Sequence, residues 1–441
     1  TGSLPSVVVG DQVDVTGTVQ EFFGMTEISG SPVVTVGSSG NILPPAVTFD
    51  AFVPSPDPTA PSCAIEYECY EGMLIEVVAG TVAASNQAFG SDPFAEVHVV
   101  ARNGRAFREP GIEYPGIVDL PVWDGNPEVF ELDPDRLGLE NLMIPAGSTF
   151  SAIGVIGFEY NHYELWPSEL TINEYAALPV PVRQAGPNEL TVGSLNLYRP
   201  SGDDARALHK LSGYIHGVLR SPDILAVQEV ESLSVLEALA DQIFADTSGA
   251  VDYAAILEEG NDIGGIDVGF LVRRGITVTS VTQLGADELF YFDDPASPLH
   301  DRPPLLLDAI CDDSFPIKVM VLHMRSLGGI ETERTQQKRF EQAESVAFMV
   351  QNIQNADPDV HLAVVGDFNA LEFTDGYVDL TGIFKGDFAP DENLVCDFNT
   401  CTDLVDPDLI DEVLLIPAEE RYSFIFRDKF NPDGSRGDAQ V

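Results

Sequence analysis

The apolar periodicity of this chain changes at one place, and that change constrains its fold more than any other feature. Before it, from Val7 to about Leu170, short β-branched runs alternate with polar residues. Val13-Asp14-Val15-Thr16-Gly17-Thr18-Val19 alternates strictly, the pattern of a half-buried strand. Met73–Val78, Glu96–Ala101 and Ser151–Gly157 repeat it, separated by Gly, Pro, Asn and Asp clusters, and no helical period intervenes. Leu178–Pro187 then places three prolines in ten residues, which favours an extended spacer. After it, strands and helices alternate. Leu190–Leu197, Ile224–Val227, Val268–Val272, Lys318–Leu322 and Leu362–Val365 read as strands, and Asp204–Leu219 and Glu333–Asn355 as helices. Leu208, Leu211, Ile215 and Leu219 form the apolar face of the first helix. The expectation is an all-β domain over 1–177, a linker over 178–188, and an α/β layered domain over 189–441.

A chain of 441 residues is too long for one core, and length alone allows about three domains. No uninterrupted apolar run reaches the ~18 residues of a membrane helix. Charge is unbalanced, with 22 Lys and Arg against 71 Asp and Glu. A global basic footprint for nucleic acid is absent, and the acidity suits solubility or a salty medium. It does not oppose metal-assisted phosphate chemistry, because clustered carboxylates recruit cations. Of the five cysteines, Cys63/Cys69 and Cys396/Cys401 form close pairs, as disulfides in an oxidising compartment do, and Cys311 is left over. Neither pair has a histidine at zinc-ligand spacing.

The strands of the second half end in chemistry-bearing residues: Asn196, then Gln228-Glu229, then His323, then Gly366-Asp367-Phe368-Asn369. Sites in layered α/β folds collect at strand ends. Magnesium takes hard oxygen ligands, few of them from protein, and Glu229, Asp367, Asn196 and Asn369 offer such oxygens. His323 can donate to a phosphate that gathers charge. Arg334, Lys338 and Arg339 make a small basic patch that suits either a polar helix start or a phosphate backbone, whereas His209, His216, His300 and His361 read as structural.

In order and spacing these blocks resemble the endonuclease/exonuclease/phosphatase superfamily over about Glu189 to Val441. The resemblance implies a four-layered α/β sandwich of the deoxyribonuclease type and a metal held by Glu229, Asn196 and Asp367. It implies catalytic roles for His323, Asp367, Asn369, Glu229, Asn196 and Asp267, with Asp267 orienting the histidine. Phosphate would be bound by Arg302, His323 and Asn369. The family's terminal Asp-His pair has no counterpart before Val441, so the chain as given is expected to be truncated and inactive, and its full-length parent active. Val9–Gly24, Tyr70–Leu74, Asp124–Pro127 and Tyr163–Pro167 resemble the oligonucleotide/oligosaccharide-binding-like barrel that precedes the catalytic domain in extracellular bacterial nucleases. Phe22, Phe23, Tyr160 and Trp166 are stacking or core residues there.

Together these readings imply a secreted, monomeric nuclease without strong sequence preference. It would cleave DNA, and RNA secondarily, with magnesium, or calcium or manganese as alternatives. A phosphodiesterase or phosphatase acting on phospholipid or inositol phosphate is the alternative enzyme. A binding protein that has lost catalysis is the alternative of another class.

Overall fold

The structure, a computed structural model, describes residues 6–441 apart from 58, 85, 107–125, 161, 178–179, 312–313, 331, 372–377, 387–403, 418–420, 422–424, 431–435 and 441. Two compact units emerge: residues 1–109, 124–178 and 416–441 form the first, and residues 110–123 and 179–415 the second. The Cys396/Cys401 pair lies outside the described residues.

In the first unit, β1 (Gln12–Phe22) and β2 (Met25–Ser38) form an antiparallel hairpin. Its alternation promised a half-buried strand, yet every residue of β1 is exposed. The larger sheet contains β3 (Val47–Phe49), β4 (Leu74–Val82), β5 (Gln87–Phe89), β6 (Asp92–Val100), β7 (Phe130–Leu132), β8 (Thr149–Glu159) and β9 (His162–Glu174), in the order β3-β4-β8-β9-β7-β6-β5. A further pairing of β4 with β6 closes a ring of five strands, β4-β8-β9-β7-β6. Only the β7–β9 contact within that ring is parallel. Ile75, Val77, Val97, Val99, Leu132, Phe150 and Leu165, at alternate strand positions, share one buried core. The Cys63–Cys69 disulfide is formed.

The second unit is mixed α/β. Its elements are β10 (Val192–Asn196), α1 (Ala205–Gly217), β11 (Ile224–Val230), α2 (Leu233–Asp246), β12 (Tyr253–Leu257), β13 (Asp267–Arg273), β14 (Thr277–Gln283), β15 (Leu289–Phe290), β16 (Ser297–Pro298), β17 (Leu305–Cys311), β18 (Phe315–His323), α3 (Glu333–Ala356), β19 (Leu362–Asp367) and α4 (Leu380–Lys385). Back in the first unit, β20 (Ile425–Phe430) pairs antiparallel with β21 (Arg436–Gln440). Two four-stranded sheets, β10-β11-β13-β12 and β14-β17-β18-β19, carry the second unit.

Alternation along the strands decides what packs on what. Ile224, Ala226, Phe270 and Val272 meet Leu305, Leu307, Val319 and Val321, so the sheets share a core. On the opposite face of the first sheet, Leu225, Val227 and Leu271 pack against Leu208 and Ile215 of α1 and Leu236 and Ile243 of α2. On the opposite face of the second, Leu306, Met320 and Leu322 pack against Val346 and Val350 of α3 and Ile383 of α4. Asp204 caps α1 through the Arg206 and Ala207 amides, and Thr332 caps α3 through the Thr335 amide. Cys311 is buried and outside any disulfide.

Candidate functional site

Asn196 is the last residue of β10, Glu229 the penultimate residue of β11, His323 the last of β18 and Asp367 the last of β19. Parallel pairing sets Asn196 opposite Gln228 and His323 opposite Asp367. Both parallel pairs therefore end at one place in the unit, and their terminal side chains meet there.

Local backbone explains how. Between Val227 and Val230, β11 leaves register with β13, and Glu229 within this irregularity has φ 57°. Such a bulge re-aims one side chain without ending the strand. Gly366 is demanded by contact: its φ is 146°, and a Cβ there would lie 2.1 Å from the Leu322 carbonyl oxygen. Asn369, at φ 49°, is tied down by donating its N–H to Asp367 Oδ1 at 3.0 Å.

Ligand atoms of Glu229, His323 and Asp367 all lie within 4.8 Å of one another. Asn196 Nδ2 stands between the two carboxylates, 3.0 Å from Glu229 Oε1 and 3.0 Å from Asp367 Oδ2. Its Oδ1 accepts the Tyr198 N–H at 2.9 Å, so in this arrangement the amide bridges the acids and its oxygen faces the loop. His323 Nε2 is 3.9 Å from Asp367 Oδ2, and its buried Nδ1 has no hydrogen-bond partner among the described residues. Burial foremost, and the Arg302 guanidinium next, press the His323 pKa down to about 4 against the pull of Asp367 and Asp262, leaving a neutral ring near pH 7.

Arg302 donates from Nη1 to Asp262 Oδ2 at 3.1 Å and from Nη2 to the Met324 carbonyl at 2.9 Å. Its Nε is buried and has no partner among the described residues. Asn369 Nδ2 donates to the same Met324 carbonyl at 3.2 Å. Asp267, which begins β13, accepts the Gly260 N–H at 2.7 Å. Burial raises its pKa, with Glu259 and Asp262 adding to the rise. No hydrogen bond joins Asp267 to His323 among the described residues. Asp262, which holds Arg302 and bears on His323, escaped the sequence reading because Gly260-Asn-Asp-Ile-Gly-Gly265 carries only a turn signature.

The basic residues of α3 are paired or buried. Arg334 pairs with Asp293 at 2.6 Å, Lys338 is buried against Asp301 at 2.9 Å, and Arg339 is buried and donates to the Arg325 carbonyl. His300 is buried and bonded to Ser345, and His209 pairs with Asp246 at the surface.

The first unit holds a second group of acids, Glu96, Glu131 and Glu164, also within 4.8 Å of one another. These lie along β6, β7 and β9, with His98 opposite Glu131 and Glu131 opposite Glu164. Gln87 Nε2 donates to Glu131 Oε1 at 2.8 Å, and Trp166 Nε1 donates to Glu164 Oε2 at 2.7 Å. Burial holds Glu164 up at about 8, against the Trp166 hydrogen bond, so its carboxyl is mostly protonated near pH 7. Trp166 is packed over Gly157, whereas Phe22, Phe23 and Tyr160 are exposed.

A model described as "Endonuclease/Exonuclease/phosphatase family" matches residues 201–379. No curated protein matches the chain. Among solved structures, TDP2 from C. elegans is 18% identical over 42% of this chain and 48% of that one, with a TM-score of 0.29. The chain thus spans about half the length of that relative. A β-hairpin deletion mutant of beta toxin from Staphylococcus aureus is 15% identical over 45% of this chain and 73% of that one, with a TM-score of 0.32. ANGEL2, described as a 2',3'-cyclic phosphatase, is 15% identical over 45% and 56%, with a TM-score of 0.30. No helix among the described residues is long and apolar enough to cross a membrane. Residues 201–379, which match that family's model, span the ends of β11, β18 and β19 and so include Glu229, His323 and Asp367.

Proposed function

We infer that this protein hydrolyses phosphodiester bonds with a divalent cation, magnesium first and calcium or manganese as alternatives, and that its substrate is nucleic acid, DNA before RNA. The observation that carries the reading is the meeting of Glu229, Asp367 and His323 at the strand ends, with Asn196 between the acids. Two carboxylates suit a hard divalent ion, and like charges this close favour one, while the imidazole is left to the phosphate. Glu229 and Asp367 would hold that cation, which would polarise the phosphate and offset its charge.

The chain's own groups supply the rest. Asn196 keeps the carboxylates at a fixed separation. His323, neutral in its buried setting, donates an N–H to a non-bridging oxygen. Arg302, its two terminal nitrogens held by Asp262 and Met324, keeps a positive charge beside the phosphate. Asn369 positions the attacking water beside Asp367. Asp267 supports this edge through the Gly260 turn.

The order helix, sheet, sheet, helix in the second unit supports the four-layered sandwich of the deoxyribonuclease type. The ring of five strands with one parallel contact supports an oligonucleotide/oligosaccharide-binding-like barrel in the first. The Cys63–Cys69 disulfide supports secretion. Net charge favours a second reading, hydrolysis of a phospholipid or small phosphate ester, which an acidic protein repels less than it repels a polyanion.

Plasmid DNA and sphingomyelin, each offered with magnesium or with chelator, separate the readings. Plasmid nicking that stops with chelator is expected. Nicking that persists contradicts the metal requirement, and hydrolysis of sphingomyelin alone moves the substrate to the second reading.

A further inference from the structure

Around the site, four residues that bear side chains stand in left-handed backbone: Tyr198 (φ 55°), Arg199 (52°), Glu229 (57°) and Asn369 (49°). The conformation crowds the Cβ of an L-residue and persists only where neighbours enforce it. Glu229 and Asn369 have site geometry to account for them. Tyr198 and Arg199 do not, yet they are held as firmly. Asn196 Oδ1 accepts the Tyr198 N–H at 2.9 Å, and the Glu229 carbonyl accepts the Arg199 N–H at 3.1 Å. Arg199 Nη2 donates to the Gly264 carbonyl at 2.8 Å, and its Nε lies 3.4 Å from Glu231 Oε1.

The result is an aromatic ring left 85% exposed only two residues from Asn196, at most roughly 7 Å of backbone. Gly264 belongs to the Asp262–Gly265 turn, in which Ile263 is fully exposed and Asp262 holds Arg302. The Arg199–Gly264 hydrogen bond thus ties the residue after Tyr198 to the turn that carries Ile263, and both apolar side chains are exposed. Scattered exposed apolar residues are ordinary. One held up by strained backbone beside the acid cluster calls for a ligand.

We propose that Tyr198 is the surface on which the nucleobase next to the cleaved diester stacks, and that Arg199 is the strut that holds the ring in position. The proposal rests on the nucleic-acid reading above and deepens it. Proteins usually draw much of their affinity for nucleic acid from phosphate contacts with Lys and Arg. Here 71 acids face 22 bases, and the α3 cations are paired or buried. Affinity must then come from contacts that do not depend on net charge, and a base stacked on an aromatic ring is such a contact. A lipid surface would call for a broader apolar face than two side chains among acids.

The test is equilibrium binding of a phosphorothioate-linked single-stranded octanucleotide to the full-length protein, read by fluorescence anisotropy. A second probe carries abasic spacers in place of bases. Tyr198→Gly relieves the backbone strain, so it should melt no lower than the wild type while binding the octanucleotide about tenfold more weakly. Tyr198→Phe and Tyr198→Trp should retain affinity. The abasic probe should bind the wild type and Tyr198→Gly equally weakly, and salt should weaken octanucleotide binding only shallowly. Wild-type affinity in Tyr198→Gly, or an abasic probe bound as tightly as the natural one, overturns the proposal and leaves the nuclease reading standing. A wild type that binds neither probe, but whose binding to sphingomyelin vesicles falls in Tyr198→Gly, overturns both.

Discussion

Each unit of this protein crowds acids together, and the two clusters resolve their repulsion differently. Glu96, Glu131 and Glu164 lie along adjacent strands of a sheet, closed in by Gln87, His98 and Trp166, and burial there favours a protonated carboxyl on Glu164. Glu229 and Asp367 lie at strand ends, half-buried, with an amide between them and a neutral imidazole alongside. A closed cluster can take up a proton, whereas one at a strand end can also take up a cation. Proximity of carboxylates alone would have ranked the two equally. Placement in the fold, left-handed backbone and an unpartnered ring nitrogen distinguish the second.

Glu229→Gln should lower hydrolysis by the full-length protein by about three orders of magnitude, whereas Glu131→Gln should leave turnover near the wild-type rate; equal losses in the two would erase the distinction. Gly366→Ala should destabilise the second unit by several kcal/mol, because its Cβ meets the Leu322 backbone. Denaturant unfolding reads this, and a loss under about 1 kcal/mol would mean that β18 and β19 yield. Saturating magnesium should stabilise the second unit by about 2.7 kcal/mol at a hundredfold excess over its dissociation constant. Chelator or Glu229→Gln should cancel that gain, and Glu131→Gln should not.

The smallest effect concerns pH. Glu164 has its folded pKa raised from 4.5 to about 8, so its contribution is complete below 4.5 and is lost as pH rises through 8. Asp133, raised by burial foremost to about 6, acts in the same direction over a lower range. The first unit should therefore melt at a lower temperature near pH 8 than near pH 5. Glu164→Gln should remove the part of that slope above about pH 6 and leave the Asp133 part.

Much of the second unit was legible because buried strands there are short apolar runs that stop at polar residues. Leu362–Val365 followed by Gly-Asp-Phe-Asn is such a run, and β19 ends at Asp367 as the pattern requires. The sequence reading passed over α2, whose apolar residues occupy much of its circumference and leave no clean stripe. Hidden too was the irregularity at Gln228-Glu229, since a change of register depends on the partner strand and leaves no mark in one strand's composition. The α3 cations read from the sequence as a polar helix start or a phosphate-facing patch, because their partners Asp293 and Asp301 are some forty residues away. In the first unit the alternation of β1 foretold the strand but not its exposure, which depends on what covers the hairpin.

Asn196 is a small lever with both ends engaged. Its oxygen holds the backbone of Tyr198 and its nitrogen holds two carboxylates, so the amide cannot turn over without releasing both. An ion that turned the amide over would also release the Tyr198 N–H. By thermodynamic reciprocity, anything that immobilises that N–H changes the affinity for the ion by the same factor. A cation on the carboxylates and a base on the ring, as proposed above, would then set each other's dissociation constants through this one side chain.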